Sequence, residues 1–544
     1  LSVEWSLPAA HDAIASAVPE RDMLVQGDVR RSYAEVQGRT GRLARFLADR
    51  GLGVRRERAD LERWECGQSP VALVMHNRCE YVESMLACYR ARAVPFNVNH
   101  HYTPDELRAL LTMVGAEAVI YERRLSPLLS EALAGLETLL IDVDDGSGVD
   151  PLAGSIGYED AIASSDGPAE VSPSPDDLYM VCTGGTTGSP KAVLWRQADI
   201  FVSAMGGSED ATPESLGRIA TTVGGVWFAA PPLMHAASQW TAFAGIHLGA
   251  TIVLHDDSAR FDARTILDVV EREKVGMMSI VGDAYARPMI EELRRSPRNL
   301  DSLQRMGTGG AFTSKDCKQA LLDLIPGLLL VDGYGASETG GMAYGTRTRD
   351  GGVEGFSPRE GAVVLSQDRS RILEPGEDEL GWTARRGRVP LGYIGDEAKT
   401  EATFPVVDGE RFAVPGDRAR LQPDGTIQML GRDSMVVNTG GEKVFVEEVE
   451  KALLRHPAVE DVLVVGRPNG RFGQEVVAIV QPRAGEAEPS PRELREFVAL
   501  SIARFKAPRA VAICDTIGRH PTGKPNYEWA RAAAASAKPV SDSD

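Results

Sequence analysis

"VALVMHNRCEYVESMLACYRARAVPFNVN", residues 71–99, decides the fold class. Its two ends, "VALVMHN" (71–77) and "AVPFNVN" (93–99), are apolar runs of strand length, and the intervening "EYVESMLACYRAR" (80–92) spaces its apolar residues at the helical period. Strand, helix and strand in that order predict a βαβ unit. The alternation continues outward. Strand-like "AEAVIY" (116–121), "LETLLIDV" (136–143), "TIVLH" (251–255), "GMMSIV" (276–281) and "GLLLVDGY" (327–334) are interleaved with helical stretches such as "FDARTILDVVEREK" (261–274) and "SKDCKQALLDLI" (314–325). The pattern predicts α/β layers with largely parallel sheets. Upstream, "SYAEVQGRTGRLARFLADRGL" (32–52) reads as an amphipathic helix, and "RERADLERWECGQS" (56–69) as a charged surface insertion.

After residue 430 the texture changes. Helical "FVEEVEKALLRHP" (445–457) and "SPRELREFVALSIARF" (490–505) alternate with strand-like "AVEDVLVVGRP" (458–468), "EVVAIVQP" (475–482) and "RAVAICD" (509–515), enough for a small α+β domain. The expected organisation is an α/β protein with a large multi-sheet N-terminal domain (1–432) and a small mobile α+β C-terminal domain (433–528). The break falls in "GRDSM" (431–435), and the Ala-rich end, residues 529–544, is expected to be disordered.

With 544 residues, 43% hydrophobic, the chain is too long for one core. A formal net charge of −19 argues against nucleic acid or an anionic membrane surface as the main partner. No apolar run reaches membrane-spanning length, and neither a basic leader nor a retention signal is visible, so the expected compartment is the cytoplasm. The cysteines at 66, 79, 88, 182, 317 and 514 are scattered, without the paired spacing of a zinc site or a disulfide framework. Lysine fills only ten of the 59 basic positions. A chain that prefers arginine places its lysines selectively where a compact, flexible charge is needed, or retains them on the surface.

The first of those lysines ends "TGGTTGSPK" (183–191). Strand-like "YMVCT" precedes the loop and strand-like "KAVLWR" follows it, so this is not the phosphate loop that opens onto a helix. Glycine N–H groups, threonine hydroxyls and Lys191 together suit phosphate oxygens, and a glycine-rich hairpin turn fits the stretch equally well.

Read together with "GTGGA" (307–311), "DGYGASETG" (332–340), "GYIGDEAKTEATF" (392–404), "GDRARLQPDGTIQMLGR" (416–432), "NTGGEKVFVEEVE" (438–450) and "PTGK" (521–524), the loop resembles the AMP-forming acyl-CoA synthetases of the adenylate-forming superfamily. "TGGTTG" and "SIVGDAYARPMI" (279–290) look most like the branch that acts on bulky acids such as steroid side chains. The resemblance implies an acid–CoA ligase that converts a bulky or fatty carboxylic acid and ATP to an acyl adenylate, then transfers the acyl group to coenzyme A, with Mg²⁺ as cofactor.

On that resemblance the nucleotide is held by Thr183, Gly184, Gly185, Thr186, Thr187, Gly188, Lys191, Asp332, Gly333, Tyr334, Ser337, Asp417 and Arg432. Mg²⁺ falls to Glu338 with Thr186, since a hard cation takes oxygen ligands. Lys524 is implied to act in adenylation and His235 to orient or gate where the acyl and phosphate sites meet. The acyl pocket takes Met234, His235, Ala237, Trp240, Gly282, Asp283, Gly309, Gly310 and Ala311; Asp433 is the implied hinge, and Gly440, Gly441 and Lys443 meet coenzyme A. A homodimer is a family-level expectation. Without the resemblance, Asp417 reads as a turn residue, Glu338 as a solvated loop acid, Tyr334 as packing and His235 as a core histidine.

The chain departs from the family pattern in three places: Gly185 for the usual serine, Ala192 for the usual glycine, and the pair Ala336 and Ser337 where threonine is commoner. All lie on the phosphate side, which leaves open a chain that mainly thioesterifies a supplied adenylate. The motifs also leave open an enzyme that loads a carrier-protein thiol and a catalytically silent nucleotide-binding protein.

Overall fold

The computed structural model describes residues 4–183, 191–259, 261–311, 313–352, 355–432, 435–439, 442–469, 473–520 and 523–540. Gly184, Gly185, Thr186, Thr187, Gly188, Asp433, Gly440 and Gly441 lie outside the described residues, as do the side chains of Arg432 and Lys443.

The βαβ unit forms as its sequence dictates. Strand Pro70–Val74 is buried at every position, helix Cys79–Arg90 crosses over, and strand Val94–Asn97 returns parallel to the first. Runs buried on both faces need helices above and below. Eight described strands make this sheet, in the order 392–393, 191–196, 178–183, 94–97, 70–74, 118–122, 139–143 and 156–157. A second, ten-stranded sheet carries the parallel strands Thr251–Leu254, Val226–Ala229, Met277–Ile280, Arg305–Thr308 and Leu329–Ala336 side by side.

Helices Leu7–Ala17, Tyr33–Asp49, Cys79–Arg90 and Ala236–His247 fill the layer between these sheets, where Leu43, Leu47, Leu86 and Phe243 meet Leu73 and Val181 of one sheet and Leu24 and Ile252 of the other. Helices Ala263–Arg272, Gly282–Arg295 and Lys315–Leu324 cover the far face of the ten-stranded sheet, and Pro104–Val114 and Ser126–Ala132 that of the eight-stranded one. Local signals set the helix starts. Ser32 with Glu35, Thr103 with Glu106 and Ser490 with Glu493 each form a reciprocal capping box.

Residues 362–432 add a six-stranded antiparallel sheet, and residues 436–539 a separate six-stranded sheet with its own apolar clusters. No helix among the described residues is long and apolar enough to cross a membrane.

Two expectations need correction. The Ala-rich end is ordered through residue 540: helix Tyr527–Ala533 leads to a strand at Lys538–Pro539 that pairs with Ala510–Val511. Ala530, Ala534 and Ala537 are buried against Leu463, Val465, Val477 and Ile479, since small side chains let this helix approach the sheet closely. The stretch 56–69 is only partly a surface insertion. Gln68 is buried, donating to the Arg92 carbonyl at 2.7 Å and accepting from the Leu178 N–H at 2.6 Å, so it ties two strands together.

Candidate active site

Strands Leu178–Thr183 and Lys191–Arg196 are antiparallel neighbours, with Thr183 opposite Lys191, so the glycine loop joins two strands as its flanks predict. Ala192 continues the second strand opposite Cys182, and its methyl group is buried among Phe96, Met180 and Leu194. It is not among the residues with positive φ, so a Cβ there meets no backbone obstacle.

The buried Asn97 fixes this strand to the next part of the site. It accepts from the Cys182 N–H at 2.8 Å and donates to the carbonyls of Cys182 at 2.8 Å and Met234 at 2.6 Å. Asn77 does the same one segment earlier, donating to the Pro231 carbonyl at 3.2 Å and accepting from Leu233 N–H at 2.6 Å. "PPLMH" (231–235) is therefore held by two buried amides that sequence reading passed over, although both stand in the quoted strand ends.

The Tyr334 hydroxyl donates to Asp417 Oδ2 at 2.6 Å and lies 3.1 Å from the Thr383 hydroxyl. Asp417 is buried, at the start of strand Asp417–Leu421 and opposite Arg432. Gly309 and Gly333 bring two strand ends together: a Cβ on Gly309 would stand 3.0 Å from the Gly333 carbonyl oxygen. Asp332 is paired with Lys318, a partner the sequence did not suggest for it.

Glu338 accepts from the Tyr393 hydroxyl at 2.8 Å. Lys191 and Lys399 stand over the Tyr393 ring at 5.3 and 5.5 Å from its centroid, so two cations lie by the tyrosine whose hydroxyl reaches the candidate Mg²⁺ ligand. Oxygen-donor and cation together suit a metal–phosphate group. Tyr393 and Lys399 belong to "GYIGDEAKTEATF", and only the fold brings them to Glu338. Ser337 offers its carbonyl to the Trp195 indole N–H at 2.9 Å. Among the described residues no group of three or more His, Cys, Asp or Glu forms a metal cage.

His235 caps the N-terminus of helix Ala236–His247, on which Ala237 is exposed and Trp240 partly buried. Burial first, then the nearby charge of Lys524, then His101, push its pKa down to about 3, so it is neutral. Lys524 comes from the C-terminal sheet region. Its loop is seated by Gly523, whose φ of +77° suits glycine and where a Cβ would stand 2.7 Å from the Ala284 Cβ. Arg287 bridges the same junction, bonding Glu460 at 3.1 Å and Asp283 at 3.0 Å. Asp283 also accepts from the Ser314 N–H at 2.8 Å, so its carboxylate is engaged in fixing helix Gly282–Arg295. Gly282 opens that helix with φ +53°, Gly310 has φ +73°, and Met234 is buried beside His235.

The structure thus brings together Lys191, Glu338 and Tyr393 in one group, Tyr334 and Asp417 in a second, and His235 and Lys524 in a third. Comparison with known proteins explains the combination. The AMP-binding enzyme family matches residues 12–381, and the AMP-binding enzyme C-terminal domain matches residues 448–524. The chain belongs to the AMP-binding enzyme family. It is 44% identical over 541 residues to the medium-chain acyl-CoA ligase Mig of Mycobacterium avium, covering 97% of this chain and 98% of that protein. It is 39% identical to the 3-oxocholest-4-en-26-oate–CoA ligase of Rhodococcus rhodochrous, covering 94% and 93%. Among solved structures, the anthranilate CoA ligase AuaEII in complex with anthranoyl-AMP superposes with a TM-score of 0.80 at 20% identity, covering 98% of each chain, a likeness of fold.

Proposed function

We propose that this AMP-binding enzyme is an acid–CoA ligase that activates a bulky or fatty carboxylic acid with ATP and passes the acyl group to coenzyme A. The observation that carries the reading is the seating of the Lys524 loop, with Gly523 against Ala284, which brings the Lys524 charge near the buried His235. A flexible cation at that junction suits the charge that develops as the acid's carboxylate oxygen attacks the α-phosphorus and pyrophosphate leaves. Tyr334 offers its ring to adenine, and Asp417 offers two carboxylate oxygens to the ribose hydroxyls. Lys191, with the glycine loop, faces the β- and γ-phosphates. Mg²⁺ would be held through Glu338, with Thr186 from the loop, and would neutralise phosphate charge. In the second half-reaction Gly440, Gly441 and Lys443 serve coenzyme A, after rotation of the C-terminal region about Asp433.

Relatives named for medium-chain acids and for a steroid acid support a roomy acyl site, as do the small residues Ala237, Gly309, Gly310 and Ala311 that border it. Ala192 in ordinary strand conformation removes one ground for a defective adenylation half. All six cysteines are free, in keeping with a reducing cytoplasm.

Incubation with ATP, Mg²⁺, coenzyme A and a panel of fatty, aryl, terpenoid and steroid acids, followed by mass spectrometry, tests this. A CoA thioester with a fatty or steroid acid, accompanied by AMP, is the expected product. Acid-dependent AMP release with no thioester would point to a carrier-protein thiol, and no turnover of any acid would contradict the ligase reading.

A further inference from the structure

Four of the nine histidines lie on neighbouring segments, and the chemistry above uses only His235. Asn97, three residues before His100, donates to the carbonyl of Met234, the residue before His235, at 2.6 Å. His76 follows strand Pro70–Val74, and His100 and His101 follow strand Val94–Asn97; these strands are parallel neighbours, so all three histidines stand at one end of the sheet. That is where open α/β sheets place their ligands. The His76 and His100 ring centroids are 4.0 Å apart, and those of His100 and His101 are 4.4 Å apart.

The two ends of this row differ. His76 Nδ1 is hydrogen-bonded to the buried Glu122, which Arg78 approaches to 3.3 Å and Arg124 to 3.5 Å. His101 is exposed to solvent. Between them His100 is buried, and among the described residues neither its Nδ1 nor His235 Nε2 has a hydrogen-bond partner, although both atoms are buried. Buried ring nitrogens without partners are uncommon, and here one falls in the row of rings and the other on the segment that Asn97 ties to it.

We propose that these histidines form a proton relay for thioester formation, from His235 through His100 to the exposed His101, with His76 held in place by Glu122 to support the His100 ring. The proposal rests on the ligase reading above. In the step itself the coenzyme A S–H bond breaks and its proton passes to a ring nitrogen of His235. The sulfur lone pair forms the S–C bond to the acyl carbon, the C–O bond to phosphate breaks, and its electron pair leaves with AMP. The proton then moves along His100 and His101 to water, with ordered water spanning gaps between rings.

Burial and the charges around the row keep its rings neutral, so a proton that enters is not held. Burial lowers the pKa of His100 well below the ordinary range, helped by His76, His101 and His235, and burial and His76 lower that of His101. Lys524 and His101 face His235; Glu122, Asp256 and Asp257 are the acids near His76. Withdrawal of Lys524 with its region before the second half-reaction removes one of the charges that oppose protonation of His235. His100 and His101 are thus positioning residues that act through His235.

The test uses His100→Gln and His101→Gln in the full chain, with thioester formation from a supplied acyl adenylate measured against ATP–pyrophosphate exchange in the same preparation. The relay predicts that His100→Gln lowers the thioester-to-exchange ratio about tenfold or more, with a smaller fall for His101→Gln. The deficit is larger at pH 6.5 than at pH 9, and added imidazole restores part of it. Unchanged ratios and pH profiles in both variants would overturn the relay while leaving the ligase reading intact. Should His100→Gln not fold, the exposed His101→Gln decides alone, on the same ratio, pH profile and imidazole rescue. A wild-type chain that forms no thioester from any adenylate would overturn the ligase reading, and the relay with it.

Discussion

Tyr334 shows how one side chain links two distant motifs. Its hydroxyl reaches Asp417 at 2.6 Å across 83 residues of sequence, so the ring proposed for adenine and the acid proposed for ribose are set relative to each other before any nucleotide arrives. Removing that hydroxyl by Tyr334→Phe costs about 1 kcal/mol of positioning, the ordinary net worth of an intramolecular hydrogen bond. Initial-rate kinetics should show the KM for ATP rising roughly fivefold with kcat little changed; a fall in kcat at constant KM would place Tyr334 elsewhere in the reaction. In the sequence, Tyr334 between two glycines and Asp417 in "PGDRARL" are individually ordinary, and the family resemblance was needed to single them out. Asn97, Tyr393 and Lys399 escaped notice for a related reason. Their roles are contacts made across the fold, and nothing local marks an asparagine at a strand end or a lysine on a short helix as special. Ala192 illustrates the opposite case: a departure from the family's pattern that raised a question in sequence is an ordinary buried strand position in structure.

At the scale of elements, the strands and helices were largely legible, because strands buried on both faces read as short apolar runs and the helix starts carry their caps. The carboxyl-terminal helix Tyr527–Ala533 was not, since alanine-rich sequence shows no apolar stripe while still packing tightly on a sheet. Its partner helix, Val446–Leu453, carries Glu450, whose Oε1 accepts from the Val464 N–H at 2.8 Å and whose other oxygen meets the Tyr527 hydroxyl at 3.2 Å. Burial, reinforced by Glu447, pushes the Glu450 carboxyl up to about 8. The folded state therefore keeps a proton that the unfolded chain loses above its ordinary value near 4.5. The stabilising contribution is complete below that value and is lost as pH rises toward 8, a change on the order of a few kcal/mol. Thermal melts of Glu450→Gln between pH 5 and 9 should lose most of this slope, with the variant the more stable form at pH 8.5. Parallel pH slopes for variant and wild type would contradict a protonated Glu450.

Across the whole molecule, three groups of residues from separate sheets converge, and the C-terminal sheet region contributes Lys524 through a loop that fits against Ala284 only because residue 523 is glycine. The Asp283–Arg287–Glu460 chain holds that same junction. Motif order along the sequence announced which pieces belong together, but not that Lys524 and His235 would face each other, since 289 residues separate them in the chain. On the proposed function this arrangement serves activation of the acid, and the proposed relay calls for Lys524 to leave before the second half-reaction. Lys524→Ala separates these roles. Assayed with acid, ATP and coenzyme A, the variant should lose at least a hundredfold in thioester formation, while with synthetic acyl adenylate and coenzyme A it should retain nearly the wild-type rate; equal loss in both assays would contradict a lysine that serves adenylation alone.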